Sequence, residues 1–344
     1  MRRRLLSIVG MQQFGLVVII VALGVIMSLF AGTHLDRVSG QTVNNFLNPS
    51  TLIQIATDTS FFAIMAVGMT MVIISAGIDL SIGSVYAMSA VLMSLALQKM
   101  TNAAPVEQVL VGMALSCGIG LLAGLFNGVM VSRLGVHPFI ITLGTMWVFR
   151  GIAFVTTKAM SILVPESLTH FAKANLGMRR DLFPVPMVVM LVVTVIGALF
   201  LQYTTWGRRI FAAGGNIEAA KYSGLNINRI LSSVYVIAGL SAGIAAFVGT
   251  GFYGASSSGD AQGYELYVIA SAVVGGASLN GGKGSAIGAM LGALLIVMIR
   301  QAIRTLNLDQ NYEWIIIGFA IVISVVLDRW NATRTQRRLV QARQ

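Results

Sequence analysis

Gly207 to Leu225 reads GRRIFAAGGNIEAAKYSGL, a polar stretch set between two long hydrophobic runs. The run before it ends near Tyr203, and the run after it begins near Ile230. A chain this apolar gains nothing locally from such a break unless something outside the membrane uses it. The break has helix chemistry. Asn216 is a good N-cap, Glu218 sits in the first turn, and Ala219, Ala220 and Lys221 propagate. Gly224 fits the C′ position, where a left-handed residue ends a helix. The spacing predicts a short helix that starts near Asn216, ends near Gly224, lies against the membrane face and is presented to a partner.

Outward from this break, composition sets the class. Of 344 residues, 56% are hydrophobic and only 10% charged, with mean hydropathy +0.82. Soluble domains carry about 25% charge, and apolar runs of about 20 residues read as membrane-spanning helices. The 37 glycines suit helices that pack closely in lipid, where small residues replace the missing hydrophobic drive. The single cysteine, Cys117, lies in an apolar run and reads as a buried, inert thiol; it excludes a disulfide framework and a Cys-based zinc site. The three histidines, His34, His137 and His170, have no metal-ligand spacing, so no metal is assigned. The net charge of +11 is spread over loops and concentrated at the two ends, as membrane topology requires, and is not a nucleic-acid signal.

Ten spans are read, near 14–31, 52–75, 81–98, 108–131, 138–157, 185–203, 230–250, 264–279, 285–303 and 312–328. Arg2, Arg3 and Arg4 precede the first, which is long for a signal-peptide core and is followed by many others, so it reads as a retained anchor. With the N-terminus inside, cytoplasmic segments hold 14 Lys and Arg against eight outside. The positive-inside rule then gives N-in and C-in, with cytoplasmic tails 1–13 and 329–344 around a single permease-like domain spanning 1–344. It also places the polar loop 204–230 in the cytoplasm. The expected fold is an all-α integral membrane protein.

The spans also carry packing signatures. Gly120, Gly124 and Gly128 recur every four residues, as do Gly284, Gly288 and Gly292, and each set makes a smooth ridge on one helix face. Two hairpins resemble each other weakly: SAGIDLSIGS at 75–84 and GGASLNGGKGS at 275–285. Internal repeats of this kind are common in transporters.

Four segments together resemble a known family: IMAVGMTMVIISAGIDLSIGS (64–84), GLFNGVMVSRLGVHPFIITLGTMWVFRGI (124–152), GRRIFAAGGNIEAAKYSGLNINRI (207–230) and GYELYVIASAVVGGASLNGGKGSAIGAMLGALL (263–295). They are similar to the membrane permeases of ribose-type sugar ABC importers, over about 64 to 328. The resemblance implies a permease that works as a pair, either two copies or one copy with a homologous permease. It further implies an ABC ATPase subunit on the cytoplasmic side and a periplasmic sugar-binding protein outside, in the bacterial inner membrane. It makes 207–230 the coupling loop that docks on the ATPase, placed as in vitamin-B12-type importers. No GxxxxGK[ST] loop is present, and GGKGS at 281–285 does not supply one. ATP and Mg therefore belong to the partner ATPase, this chain binds no cofactor and it is not itself an enzyme.

Individual residues follow from this frame. Gly214, Gly215, Asn216, Glu218, Ala219, Ala220, Ser223 and Gly224 are the coupling candidates; the alternative is an ordinary capped connector. Asp79 and Ser81 sit at the turn between two spans, where they cap the next helix and serve as gate candidates. Asn127, inside a span, bonds a neighbouring helix or lines the path. Asp58 and Arg150 are intramembrane charges, each roughly 10 Å below an outer end. Isolation there costs several kcal/mol, so the two are expected to pair or to share one polar pathway. Glu265 and Asn280 complete the pathway candidates, and GFYGASSSGDAQGYE (251–265) reads as an outer gate, a binding-protein contact or a solvated loop. Arg37, Arg179, Arg180 and Asp260 are candidate contacts for the binding protein, where complementary charge steers docking. The competing class is a stand-alone secondary transporter or channel, which calls for intramembrane ion-coupling sites that the sequence scarcely offers.

Overall fold

The computed structural model describes residues 2–35, 40–175, 183–323 and 326. The elements run α1 (Arg2–Phe30), β1 (Thr33–Leu35), β2 (Thr42–Asn44), α2 (Pro49–Ile74), α3 (Ile82–Gln98), α4 (Pro105–Leu134), α5 (Pro138–Thr157), β3 (Ile162–Leu163) and α6 (Glu166–Ala172). They continue with α7 (Val185–Tyr203), α8 (Thr205–Gly215), α9 (Ile217–Tyr222), α10 (Ile227–Tyr253), β4 (Ala255–Ser256), α11 (Tyr264–Val274) and α12 (Ala286–Thr305). A last apolar helix, α13, covers Tyr312–Ile323. The architecture is helical, with two small antiparallel strand pairs, β1 with β2 and β3 with β4, that the sequence did not announce.

Among the described residues, seven helices are long and apolar enough to cross a membrane: the Gln13–Phe30 part of α1, then α2, α4, α5, α7, α10 and α12. The ten-span expectation is therefore met only in part. The remaining three spans, α3, α11 and α13, are shorter. The cause is clearest for α11. It was expected to fill 264–279 but stops at Val274, where Gly275 and Gly276 close it; its 11 residues reach only ~16 Å of a hydrocarbon core about 30 Å thick.

Helix α2 is the axis of the bundle. Every residue from Thr59 to Ile74 is buried, as expected of a helix hydrophobic all round. Around it pack α7, α10, α11 and α12. The glycine ridges do what small-residue ridges do in lipid. Gly120, Gly124 and Gly128 bring α4 against the α10 backbone at Gly239, Tyr235 and Ser232. Gly288 and Gly292 do the same for α12 against Gly275 and Ser271 of α11, while Gly284 packs on Ile74 and Thr70 of α2. By contrast α1, α5, α7 and α13 expose large apolar side chains such as Phe14, Trp147, Ile196 and Phe319.

The two similar hairpins end their first helices alike. After α2, Ala76 N–H donates to the Ile73 carbonyl and Gly77 N–H to that of Val72; after α11, Gly276 N–H donates to Val273 and Ala277 N–H to Ala272. These are two Schellman caps 200 residues apart, with positive φ at Ala76 and Gly276. The hairpins also touch, since Gly282 N–H donates to the Ile74 carbonyl at 2.8 Å.

Candidate functional site

Two regions gather the candidate residues. The first is the end of the molecule where α2, α8 and the 275–285 turn converge. Thr204 caps α8 by accepting from Gly207 N–H at 2.9 Å. The polar break thus holds two helices rather than the one expected, because Thr204 supplies a second N-cap upstream of Asn216. Gly214 ends α8 against the Ile74 carbonyl, so closely that a Cβ would overlap it, with Gly282 N also at 3.0 Å from that position. Gly215, one residue on, is exposed and a Cβ there would meet nothing within 4 Å. Asn216 Oδ1 accepts from Ala219 N–H at 2.9 Å and opens α9. Gly224 closes it at φ +79, its N–H on the Lys221 carbonyl and that of Leu225 on Ala220, the full Schellman pattern. Within α9 only Ala220 is buried; Glu218, Ala219 and Lys221 face outward with Ile217 and Tyr222, as do Ser223 and Gly224 beyond it. Asn280 is exposed on the adjoining turn.

Asp79, Ser81 and Asn127 form a buried chain just above this junction. Asp79 Oδ1 accepts from Ser81 N–H at 2.8 Å and Ser81 Oγ at 2.6 Å. Ser81 Oγ in turn accepts from Asn127 Nδ2 at 2.7 Å. Of the two candidate caps, Asp79 satisfies the Ser81 N–H, while the Ser81 side chain makes no cap bond to α3, because its hydroxyl is committed to Asp79 and Asn127. Burial pushes the Asp79 carboxyl above its ordinary range, with the two Ser81 bonds pulling the other way. Asn127 joins α4 to the start of α3, and Tyr235 of α10 donates to the Ile78 carbonyl at 3.2 Å.

The second region is deeper in the bundle. The segment between α10 and α11 does not lie over the surface as a solvated loop. At one end Ser256 Oγ bonds Ser94 Oγ at 2.9 Å near the C-terminus of α3. At the other, the Ala261 carbonyl lies on Gly83 in the first turn of α3. Those two levels of α3 are ~16 Å apart at 1.5 Å per residue, so the segment dives into the bundle along α3. Non-helical backbone at such depth must be satisfied by protein, and Arg150 does this. Its guanidinium, reaching from α5, donates to the carbonyls of Ser258, at 2.8 Å, and Asp260.

The expected pairing of Asp58 with Arg150 is thereby corrected. Arg150 donates to the backbone carbonyls of Ser258 and Asp260, and Asp58 faces Arg304 at 3.8 Å, with Tyr253 in hydrogen-bonding reach. Asp260, a candidate contact for the binding protein, is part-buried. It lines a small cavity, and its Oδ2 accepts from Ser257 N–H at 2.8 Å. Glu265 stands in the first turn of α11 with its carboxylate over Gly83, in the first turn of α3. Two helix N-termini thus face one carboxylate, a favourable dipole arrangement, and Arg150 is its charge partner. Arg37, Arg179 and Arg180 lie outside the described residues.

Sequence reasoning missed the aromatic wall of this region. Tyr86, Tyr253 and Tyr264 line the cavity with Ala255, Asp260 and Ala261. Phe62 stacks on Tyr264 at 4.6 Å, and Arg300 lies over both Phe62 and Tyr267 while pairing with Glu313 at 2.6 Å. The available signal was two tyrosines bracketing the polar GASSSGDAQG run.

Comparison with known proteins is consistent over the same range. Residues 51–325 match the family model described as branched-chain amino acid transport system / permease component. The chain is 36% identical over 286 residues to the D-allose transport system permease protein AlsC of Escherichia coli, covering 83% of this chain and 85% of that one. It is 32% identical over 319 residues to the ribose import permease protein RbsC of Escherichia coli, covering 92% and 94%. The fructose import permease protein FrcC of Rhizobium meliloti is 32% identical over 290 residues, covering 83% and 79%. No solved structure matches the chain significantly.

Proposed function

This chain belongs to the family of branched-chain amino acid transport system permease components, and from that membership we propose that it imports a monosaccharide or a related small polyol as the membrane subunit of an ATP-driven transporter. The observation that carries the reading is that sugar permeases match it over most of their length and its own. It is a translocation subunit, with ATP hydrolysed by a separate ATPase and solute delivered by a binding protein. Its place is the bacterial inner membrane, as a multi-pass protein.

The finer reading has ten spans, N-in and C-in, in a single domain resembling vitamin-B12-type importer permeases. Here α3, α11 and α13 complete the bundle although each is short. Helix α9 and the end of α8 form the coupling element. Its exposed Ile217, Glu218 and Tyr222 fit a cleft on the ATPase, and Gly214 seats the element on the Ile74 carbonyl. ATP and Mg sit on that ATPase, and a second permease completes the assembly. Asp79, Ser81, Asn127, Arg150 and Glu265 serve the pathway or its gates. No bond in the solute changes.

Reconstitution in liposomes tests this. Uptake that needs ATP, the ATPase and the binding protein together is expected; gradient-driven uptake by this chain alone overturns it. Gly215→Trp is expected to leave the permease folded and to separate ATP hydrolysis from uptake.

A further inference from the structure

The cavity under the 255–263 segment has a composition that the coupling function leaves unused. It measures about 90 Å³ and is lined by Tyr86 of α3, Tyr253 at the end of α10, Tyr264 at the start of α11, and Ala255, Asp260 and Ala261 of the diving segment. Ring centroids of Tyr86 and Tyr264 are 6.3 Å apart, and Phe62 backs Tyr264. Tyr253 is largely exposed on its open side, while Ala261 at its base is buried.

In this neighbourhood Asp58, Asp260, Glu265 and Glu313 stand against Arg150, Arg300 and Arg304, close to balance. Arg300 pairs with Glu313 and Arg304 faces Asp58, so little of that charge is left to concentrate an ion. What the cavity offers is aromatic faces for C–H surfaces, with phenol and carboxyl groups for hydroxyls, and such a pocket suits a neutral, polyhydroxylated solute. The charged groups largely satisfy one another, so recognition is weak, as a transit point requires. On the segment the walls of the space are Ala255, Asp260 and Ala261, two of the three being alanines. The segment is held in place by the β3–β4 pair, by the Ser256–Ser94 hydroxyl bond and by the guanidinium of Arg150 on the Ser258 and Asp260 carbonyls.

We propose that the tyrosine-lined chamber between α3, α10 and α11 is a transit site for the monosaccharide or polyol, and that Arg150 is the positioning residue that holds the 255–263 segment closed over it. The proposal rests on the permease reading given above. Solute entry requires the segment to move outward from α3, and Arg150 sets how often it does.

The test uses the full importer, reconstituted with its ATPase and binding protein, and the solute taken up by the unmodified complex from a panel of D-allose, D-ribose, D-fructose and xylitol. Ala255→Leu fills the chamber without touching the coupling helix. Uptake is expected to fall at least tenfold while solute-stimulated ATP hydrolysis stays within twofold. Because a filled pocket also disturbs packing, Ala261→Cys in a Cys117→Ala background supplies a second reading. Its modification by a membrane-impermeant thiol reagent is expected to slow at least fivefold when solute-loaded binding protein and ATP are supplied, and to speed up when Arg150→Lys is added. Normal uptake by Ala255→Leu, or labelling of Ala261→Cys indifferent to solute, overturns the chamber. If the unmodified complex imports nothing from the panel, it is the sugar-permease reading that fails.

Discussion

Gly214 and Gly215 are adjacent glycines in one helix, and the structure predicts opposite outcomes for the same substitution. At Gly214 a methyl group would overlap the Ile74 carbonyl oxygen and press on Gly282 N. Relief requires α8 to lift from α2, and overpacking of this kind costs about 1–3 kcal/mol. Lifting also threatens the 2.8 Å bond from Gly282 N–H to Ile74, and an orphaned buried group adds about 1–3 kcal/mol. The gain in helix propensity returns only ~1 kcal/mol. Gly214→Ala is therefore expected to destabilise by about 1–5 kcal/mol, summing those terms. Gly215→Ala meets no atom within 4 Å and has no positive φ, so it keeps the propensity gain, ~0.5–1 kcal/mol of stabilisation. Thermal unfolding of the two purified variants in the same detergent, read by tryptophan fluorescence, separates them. A lower midpoint for Gly214→Ala with an unchanged or higher one for Gly215→Ala is expected. Equal midpoints would show that α8 is not seated on Ile74, and the three-way junction would be wrong.

Three further outcomes follow from the same geometry. Asn216→Ala removes the cap on α9 and costs about 1 kcal/mol locally; coupled uptake should drop with no change in the unfolding midpoint, while Asn216→Ser retains it, and equal loss in both variants counts against a capping role. Gly239→Leu collides with α4 at Gly120 and Gly124 and should abolish accumulation in the membrane, whereas Gly118→Leu, with nothing within 4 Å, should accumulate normally; immunoblots of membrane fractions decide. Ser81→Ala strips one partner each from Asp79 and Asn127, costing about 1–3 kcal/mol, and an unfolding midpoint equal to the parent's would refute the buried chain.

What the sequence disclosed depended on range. Helix ends were legible because caps are local: Asn216 and Gly224 bound α9 as their chemistry requires. The glycine ridges announced close packing, although which helices they join is a matter of tertiary contact. Asp58 and Arg150 were visible as buried charges, but their partners were not. Arg150 satisfies backbone carbonyls more than 100 residues away, and a carbonyl carries no residue-type signature. The same reason hid the diving segment. Its Gly and Ser content reads equally well as a solvated loop, and only α3 alongside it fixes its depth.

The burial of α2 has a consequence for where a solute travels. A helix packed on all sides from Thr59 to Ile74 leaves no corridor along the centre of one subunit. On the proposed reading the solute passes along the flank of α2, by the chamber where Tyr253 stands exposed. A flank becomes a closed tube only when another wall faces it.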